Sequence, residues 1–112
     1  MKVFDMHCDT LSALMYDRKN NIQSGLRQNN HHLDLMKMKK GDYMLQCFAV
    51  YINKAYSGNV LLDGLKLVDI FYEELEKNKD IISQVTSYSD IEDNMRCGKM
   101  YIGNLFCCTL KP

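Results

Sequence analysis

Long apolar runs are missing from this sequence. None approaches the roughly 18 residues that a membrane-spanning helix needs, and the first residues lack the basic start and extended apolar core of a signal peptide. Both absences lead to the expectation of a cytoplasmic protein with no membrane partner. Charge of one sign is missing too: fourteen Lys and Arg cancel fourteen Asp and Glu over 112 residues, with no long single-sign run. Nothing therefore points to nucleic acid or an anionic surface. The five cysteines, Cys8, Cys47, Cys97, Cys107 and Cys108, contain no C-x-x-C pair, which removes the usual spacing of a structural zinc or redox site. Most of them read as small buried hydrophobes in a reducing compartment. Repeats, low-complexity tracts and proline-rich linkers are absent. With 46% hydrophobic and 25% charged residues, the composition is that of a single domain, residues 1–112, too short to divide. No feature bears on oligomeric state.

What is present alternates between two periodicities. A short apolar strand opens the chain from Lys2 towards Thr10, and Thr10 to about Lys19 follows as a helix, with Leu11, Leu14 and Met15 at helical spacing. Asn20 to Asn30 is polar and predicts an exposed loop. Asp34 to Lys40 gives one or two helical turns stopped by Gly41. Tyr43 to Ile52 is a strand apolar on both faces apart from Gln46, the pattern of a parallel strand covered on two sides. Ser57 to about Val85 carries the longest helical pattern, starting nearer Val60 because Gly58 and Gly64 weaken its front. Its stripe of Leu61, Leu65, Val68, Tyr72 and Leu75 predicts the packing face, with Lys66, Asp69, Glu73, Glu76 and Lys77 in solvent. Ser89 to Arg96 predicts a short helix capped by Ser89 with Glu92 three residues on. Lys99 onward begins a third strand. This order predicts an α/β architecture with about three parallel strands and intervening helices. Such strands are buried on both faces and need neighbours, so the chain reads as the opening of something larger.

The chemistry-bearing feature is His7-Cys8-Asp9 at the end of the first strand. In a strand, residues two apart share a face, so His7 and Asp9 can reach one ion while Cys8 points away. Nitrogen and oxygen donors of this kind suit zinc and its neighbours. The residues alone also admit a plainer reading, in which Asp9 or Thr10 caps the next helix and His7 is an ordinary strand-end histidine. His31 and His32 are adjacent, face opposite ways in extended chain, and read as a surface loop pair.

Three ordered blocks decide between these readings. Val3-Phe4-Asp5-Met6-His7-Cys8-Asp9-Thr10-Leu11, then His32-Leu33-Asp34-Leu35 with Lys40-Gly41, then Gln46-Cys47-Phe48-Ala49-Val50-Tyr51 resemble the renal or membrane dipeptidase family of zinc metallopeptidases. The resemblance covers roughly residues 2 to 100. It implies the N-terminal part of a (β/α)8 TIM barrel whose complete site holds two zinc ions, which activate a bridging water to hydrolyse a dipeptide substrate. It also implies that His7 and Asp9 are metal ligands, a bridging glutamate and two later histidines completing the set. Asp5, Thr10 and Gln46 are candidates for supporting contacts around those ligands.

The glutamate block is where the sequence departs from the resemblance. Gly98-Lys99-Met100 opens it, but Tyr101 to Pro112 contains no Asp or Glu. The expectation is an aberrant tail over 101–112, of the sort a reading-frame change or incomplete gene model would produce; the coding DNA in its other frames tests this. With two ligands of a larger set, the chain is expected to be inactive alone. The alternatives are a non-enzymatic interaction module using the long helix and the exposed strand edges, or another metal-dependent barrel hydrolase, although those more commonly open with His-x-His.

Overall fold

The structure, a computed structural model, describes residues 2–97 and 100–105. Its elements follow one another as β1 (Val3–Asp5), α1 (Thr10–Lys19), α2 (Leu35–Lys40), β2 (Tyr43–Ala49), α3 (Val60–Lys77), β3 (Ile82–Gln84), α4 (Tyr88–Cys97) and β4 (Met100–Leu105), with one 310 turn at Lys54–Tyr56. All strand pairings are parallel, in the order β1-β2-β4-β3. The expected alternation is present, but with four strands where three were expected.

The extra strand, Ile82–Gln84, falls inside the span expected to be helical as far as Val85. The helix ends earlier because Asn78 turns its side chain back on it, the Nδ2 group donating to the Glu74 carbonyl at 2.7 Å. Ile82 then pairs with Met100, which puts β3 at the sheet edge beyond β4. Between β2 and β4 the register runs from Leu45 opposite Tyr101 to Ala49 opposite Leu105.

The core forms where α1, α2 and α3 cover one side of β2. Leu11 and Leu14 of α1, Leu35 and Met38 of α2, Phe48 of β2, and Leu67, Ile70 and Phe71 of α3 are buried together with Leu26 and Ile82. Phe48 and Phe71 meet as tilted rings, centroids 6.1 Å apart. The face that α3 buries is rotated from the expected one: Val68 and Leu75 of the expected stripe pack at its margin, and Lys66, Asp69, Glu73, Glu76 and Lys77 are exposed as expected. Leu67, Ile70, Phe71 and Glu74 point inward, whereas Leu61 is 74% and Leu65 55% exposed. Both stripes have helical spacing, and the buried Glu74 decides between them. Its carboxylate accepts the Leu26 backbone N–H at 3.0 Å, while Arg18 and Lys77 lie 3.6 and 3.9 Å away.

That contact also changes the expected exposed loop. Residues 20–34 are irregular but anchored: Leu26 is buried, Arg27 donates to Asn78 at 2.9 Å and to Asp80 at 2.6 Å, and Asp34 accepts from the Asn29 backbone at 3.0 Å. Asp34 also caps α2, accepting from the Lys37 N–H at 2.8 Å. Gly41 follows α2 with an ordinary negative φ, and Asp42 is the residue that turns left-handed, at φ 58°. Glycine fits at 41 for a different reason: a Cβ there would sit 3.0 Å from the Tyr43 ring. At α4 the cap is Ser87 with Asp90, not Ser89 with Glu92. Asp90 accepts from the Ser87 N–H at 3.2 Å, and Ser87 Oγ accepts from the Asp90 N–H at 3.4 Å, a reciprocal capping box.

Of the tail 101–112, residues 101–105 belong to β4. The rest, with Cys107 and Cys108, lies outside the described residues.

Candidate metal centre

β1 is shorter than expected and ends at Asp5, two residues before His7. The chain nevertheless stays beside β2, because the Ala49 N–H donates to the Cys8 carbonyl at 3.0 Å. Cys8 packs against the core, while His7 and Asp9 emerge into solvent, 56% and 58% exposed. The pair therefore leaves the sheet at the carboxyl end of β1, the end where parallel α/β folds collect their sites.

His7 Nε2 lies 3.2 Å from Asp9 Oδ2. A carboxylate can only accept, so the ring nitrogen carries the proton in this arrangement. Asp9 stands at the N-cap of α1 yet makes no side-chain capping hydrogen bond. An aspartate in that position normally satisfies an orphan N–H of the first turn; this one is directed at His7 instead. Asp5 supports the segment from behind, its Oδ1 accepting the His7 backbone N–H at 3.3 Å. Thr10 is buried as the first residue of α1.

Tetrahedral zinc with bonds of about 2.0–2.2 Å holds its donors about 3.3–3.6 Å apart. The His7–Asp9 separation is within a small rotamer adjustment of one edge of that polyhedron, so the two side chains fit a shared ion once the Nε2 proton leaves. Among the described residues, no group of three or more His, Cys, Asp or Glu side chains converges on one point. Cys8 does not extend the donor set: burial pushes its thiol up, against hydrogen bonds from Thr10, with the charges of Asp5 and Asp9 adding to the rise. A thiol kept protonated is a poor ligand.

Gln46 is fully buried in β2. Its Nε2 donates to the Cys47 carbonyl at 3.0 Å, and its Oε1 has no hydrogen-bond partner among the described residues.

The pair opens on a cleft of about 560 Å³. Asp5, His7, Asp9 and Thr10 line it, together with His31 and His32 from the 20–34 loop. The expected surface pair is thus brought to the same cleft. His31 is held there by Asp17, Nε2 to Oδ2 at 2.6 Å. Spacing around His-x-Asp could not disclose Asp17, but the helix pattern carried a signal. Asp17 falls three residues after Leu14 on the core stripe of α1, where a carboxylate needs a partner.

No helix among the described residues is long and apolar enough to cross a membrane. No curated protein matches the chain. Among solved structures, a metallopeptidase from Rhodobacter sphaeroides, liganded with a phosphinate mimic of the dipeptide L-Ala-D-Ala, superposes with a TM-score of 0.76 at 16% identity, over 96% of this chain and 38% of that one. The dipeptidase AC, a metallopeptidase of family M19, gives a TM-score of 0.76 at 18% identity, over 96% of this chain and 35% of its own. At such identities the likeness is one of fold, and this chain spans little more than a third of each relative. The family model for membrane dipeptidases matches residues 1–104, and the chain belongs to that family, peptidase family M19.

Proposed function

We propose that this chain supplies the opening segment of a zinc-dependent dipeptidase, with its sheet forming the first strands of a (β/α)8 barrel and His7 and Asp9 holding one of two zinc ions. The observation that carries the reading is Asp9, which occupies a helix-capping position and spends its carboxylate on His7. Family membership supports it, as does the placement of the pair at the carboxyl end of a parallel strand.

When bound, zinc supplies a Lewis acid for the scissile carbonyl and an acidified water at neutral pH. The chain's own residues do the holding. His7 offers Nε2 after losing its proton, Asp9 offers a carboxylate that offsets the ion's charge, and Asp5 fixes the backbone between them through the His7 N–H. A catalytic zinc usually takes three protein ligands, so further donors must come from residues other than these two. The chain by itself is accordingly expected to bind zinc weakly and turn over dipeptides poorly.

Zinc titration of the chain and of its His7→Ala and Asp9→Ala variants tests the assignment. Each substitution is expected to weaken binding at least tenfold, the effect of removing one of few ligands. Unchanged affinity in both variants would remove the basis of the proposal. Rapid zinc-dependent dipeptide turnover by the chain alone, abolished by His7→Ala, would show that the two ligands suffice.

A further inference from the structure

His31, which lines the same cleft as His7 and Asp9, is paired with a buried carboxylate behind it, an arrangement that the proposed metal ligation leaves unused. Asp17 is buried on α1, and its Oδ2 accepts from Ser24 Oγ at 2.5 Å and from His31 Nε2 at 2.6 Å. The Ser24 hydroxyl first, and His31 after it, hold this carboxyl below the usual aspartate range. An ionised carboxylate only accepts, so His31 carries its proton on Nε2 and presents Nδ1 as an acceptor when the ring is neutral.

The remainder of His31 is pinned as firmly. Its backbone N–H donates to Asn29 Oδ1 at 2.9 Å, and its carbonyl accepts from the Lys37 ammonium. Asn29 is itself tied to the Gly25 and Leu33 carbonyls, at 3.0 and 3.1 Å. An imidazole fixed on one nitrogen by a buried carboxylate, and standing in the wall of a cleft, is preorganised to receive something on the other nitrogen.

The lining of the cleft selects what that is. Asp5 and Asp9 contribute carboxylates there, and no Lys or Arg lines it among the described residues. With zinc on His7 and Asp9, these carboxylates offset the ion, and the acceptor at His31 Nδ1 is what selects the donor end of a zwitterionic ligand. We propose that His31 is a substrate-binding residue whose Nδ1 accepts a hydrogen bond from the α-ammonium of a bound dipeptide, with Asp17 as its positioning residue. This rests on the dipeptidase reading and names which end of the substrate lies at His31.

The test is the ring 15N spectrum of the 112-residue chain with zinc, titrated with Ala-Ala, with its C-terminal amide, and with N-acetyl-Ala-Ala. The expected result is an Nε2–H tautomer for His31, with Nδ1 shifted by Ala-Ala and by the amide but not by the acetylated peptide. His31→Phe should weaken Ala-Ala binding roughly tenfold, the loss of one charge-assisted hydrogen bond, and His31→Gln, which keeps an acceptor, should recover part of it. An equal response to the acetylated peptide, no response to any peptide, or a shift of His31 Nδ1 by zinc alone overturns the proposal. Zinc binding that survives both His7→Ala and Asp9→Ala overturns the dipeptidase reading and this proposal with it. Zinc binding lost in those variants, with Ala-Ala affinity unchanged by His31→Phe, overturns this proposal alone.

Discussion

Asp9 faces His7 across 3.2 Å while occupying the position from which an aspartate would cap α1. Replacing a working N-cap by alanine costs about 1 kcal/mol. Because no capping bond exists here, Asp9→Ala is expected to leave the melting temperature of the metal-free chain nearly unchanged and to remove most of the rise in melting temperature that zinc produces. Thermal melts with and without zinc measure both. A metal-free loss as large as that of a true cap would return Asp9 to a structural role.

The inward face of α3 makes a second comparison. Leu67 is fully buried and Leu61 is not. Leu67→Ala should cost about 2–5 kcal/mol through lost packing and a cavity, and Leu61→Ala should stay within about 0.5 kcal/mol. Urea unfolding of the two variants distinguishes the faces, and the reverse order would mean that α3 packs through its Leu61–Leu65 stripe.

Acid should unfold the chain partly through Asp34. Burial pulls this carboxyl upward, but the Lys37 and Asn29 backbone N–H groups outweigh it, with the Lys37 ammonium assisting, and the net shift is downward. A lowered folded value binds fewer protons than the unfolded chain does, so the contribution is present above the ordinary aspartate pKa of about 3.9 and is lost as pH falls through the folded value. The urea midpoint of the native chain is therefore expected to drop more steeply below about pH 4 than that of Asp34→Asn. Parallel slopes for the two would exclude Asp34 as a source.

Gln46 offers a substitution expected to do no harm. Its Nε2 makes one hydrogen bond and its Oε1 makes none among the described residues. An unsatisfied buried acceptor costs about 1–3 kcal/mol, so Gln46→Met, similar in volume, should leave the melting temperature equal or higher. A marked loss would reveal a partner for Oε1 that matters to the fold.

Parts of this molecule could be read directly from the residues. Leu11 and Leu14 marked α1, Asp34 marked the start of α2, and the apolar run around Phe48 marked β2, because each signal is local. The inward face of α3 was not legible, since two apolar stripes compete on one helix and a carboxylate, Glu74, settles the matter by reaching Leu26, 48 residues away. Nor was β3, whose Ile81 and Ile82 continue a helical period that Asn78 has already ended. At the candidate site, the spacing of His7 and Asp9 identified the pair, although strand alternation is not what joins them, as β1 stops at Asp5. Asp17 left a trace as a carboxylate on the core stripe of α1, but its pairing with His31 was out of reach because a loop fold unites them, 14 residues apart.

Among the described residues, the strand that leads into His7 and Asp9 has a neighbour on one side only, β2, and is three residues long. Two backbone bonds bracket it, Val3 N–H to the Asp42 carbonyl and Ala49 N–H to the Cys8 carbonyl, both at 3.0 Å. Outer strands fray before a core helix opens, so an ion held by His7 and Asp9 as proposed is expected to leave by fraying of this edge before global unfolding. Zinc bound there would act as a staple on the edge, and its grip should register as slowed hydrogen exchange at Phe4 and Asp5 while the amides of Leu67 to Phe71 keep their metal-free rates.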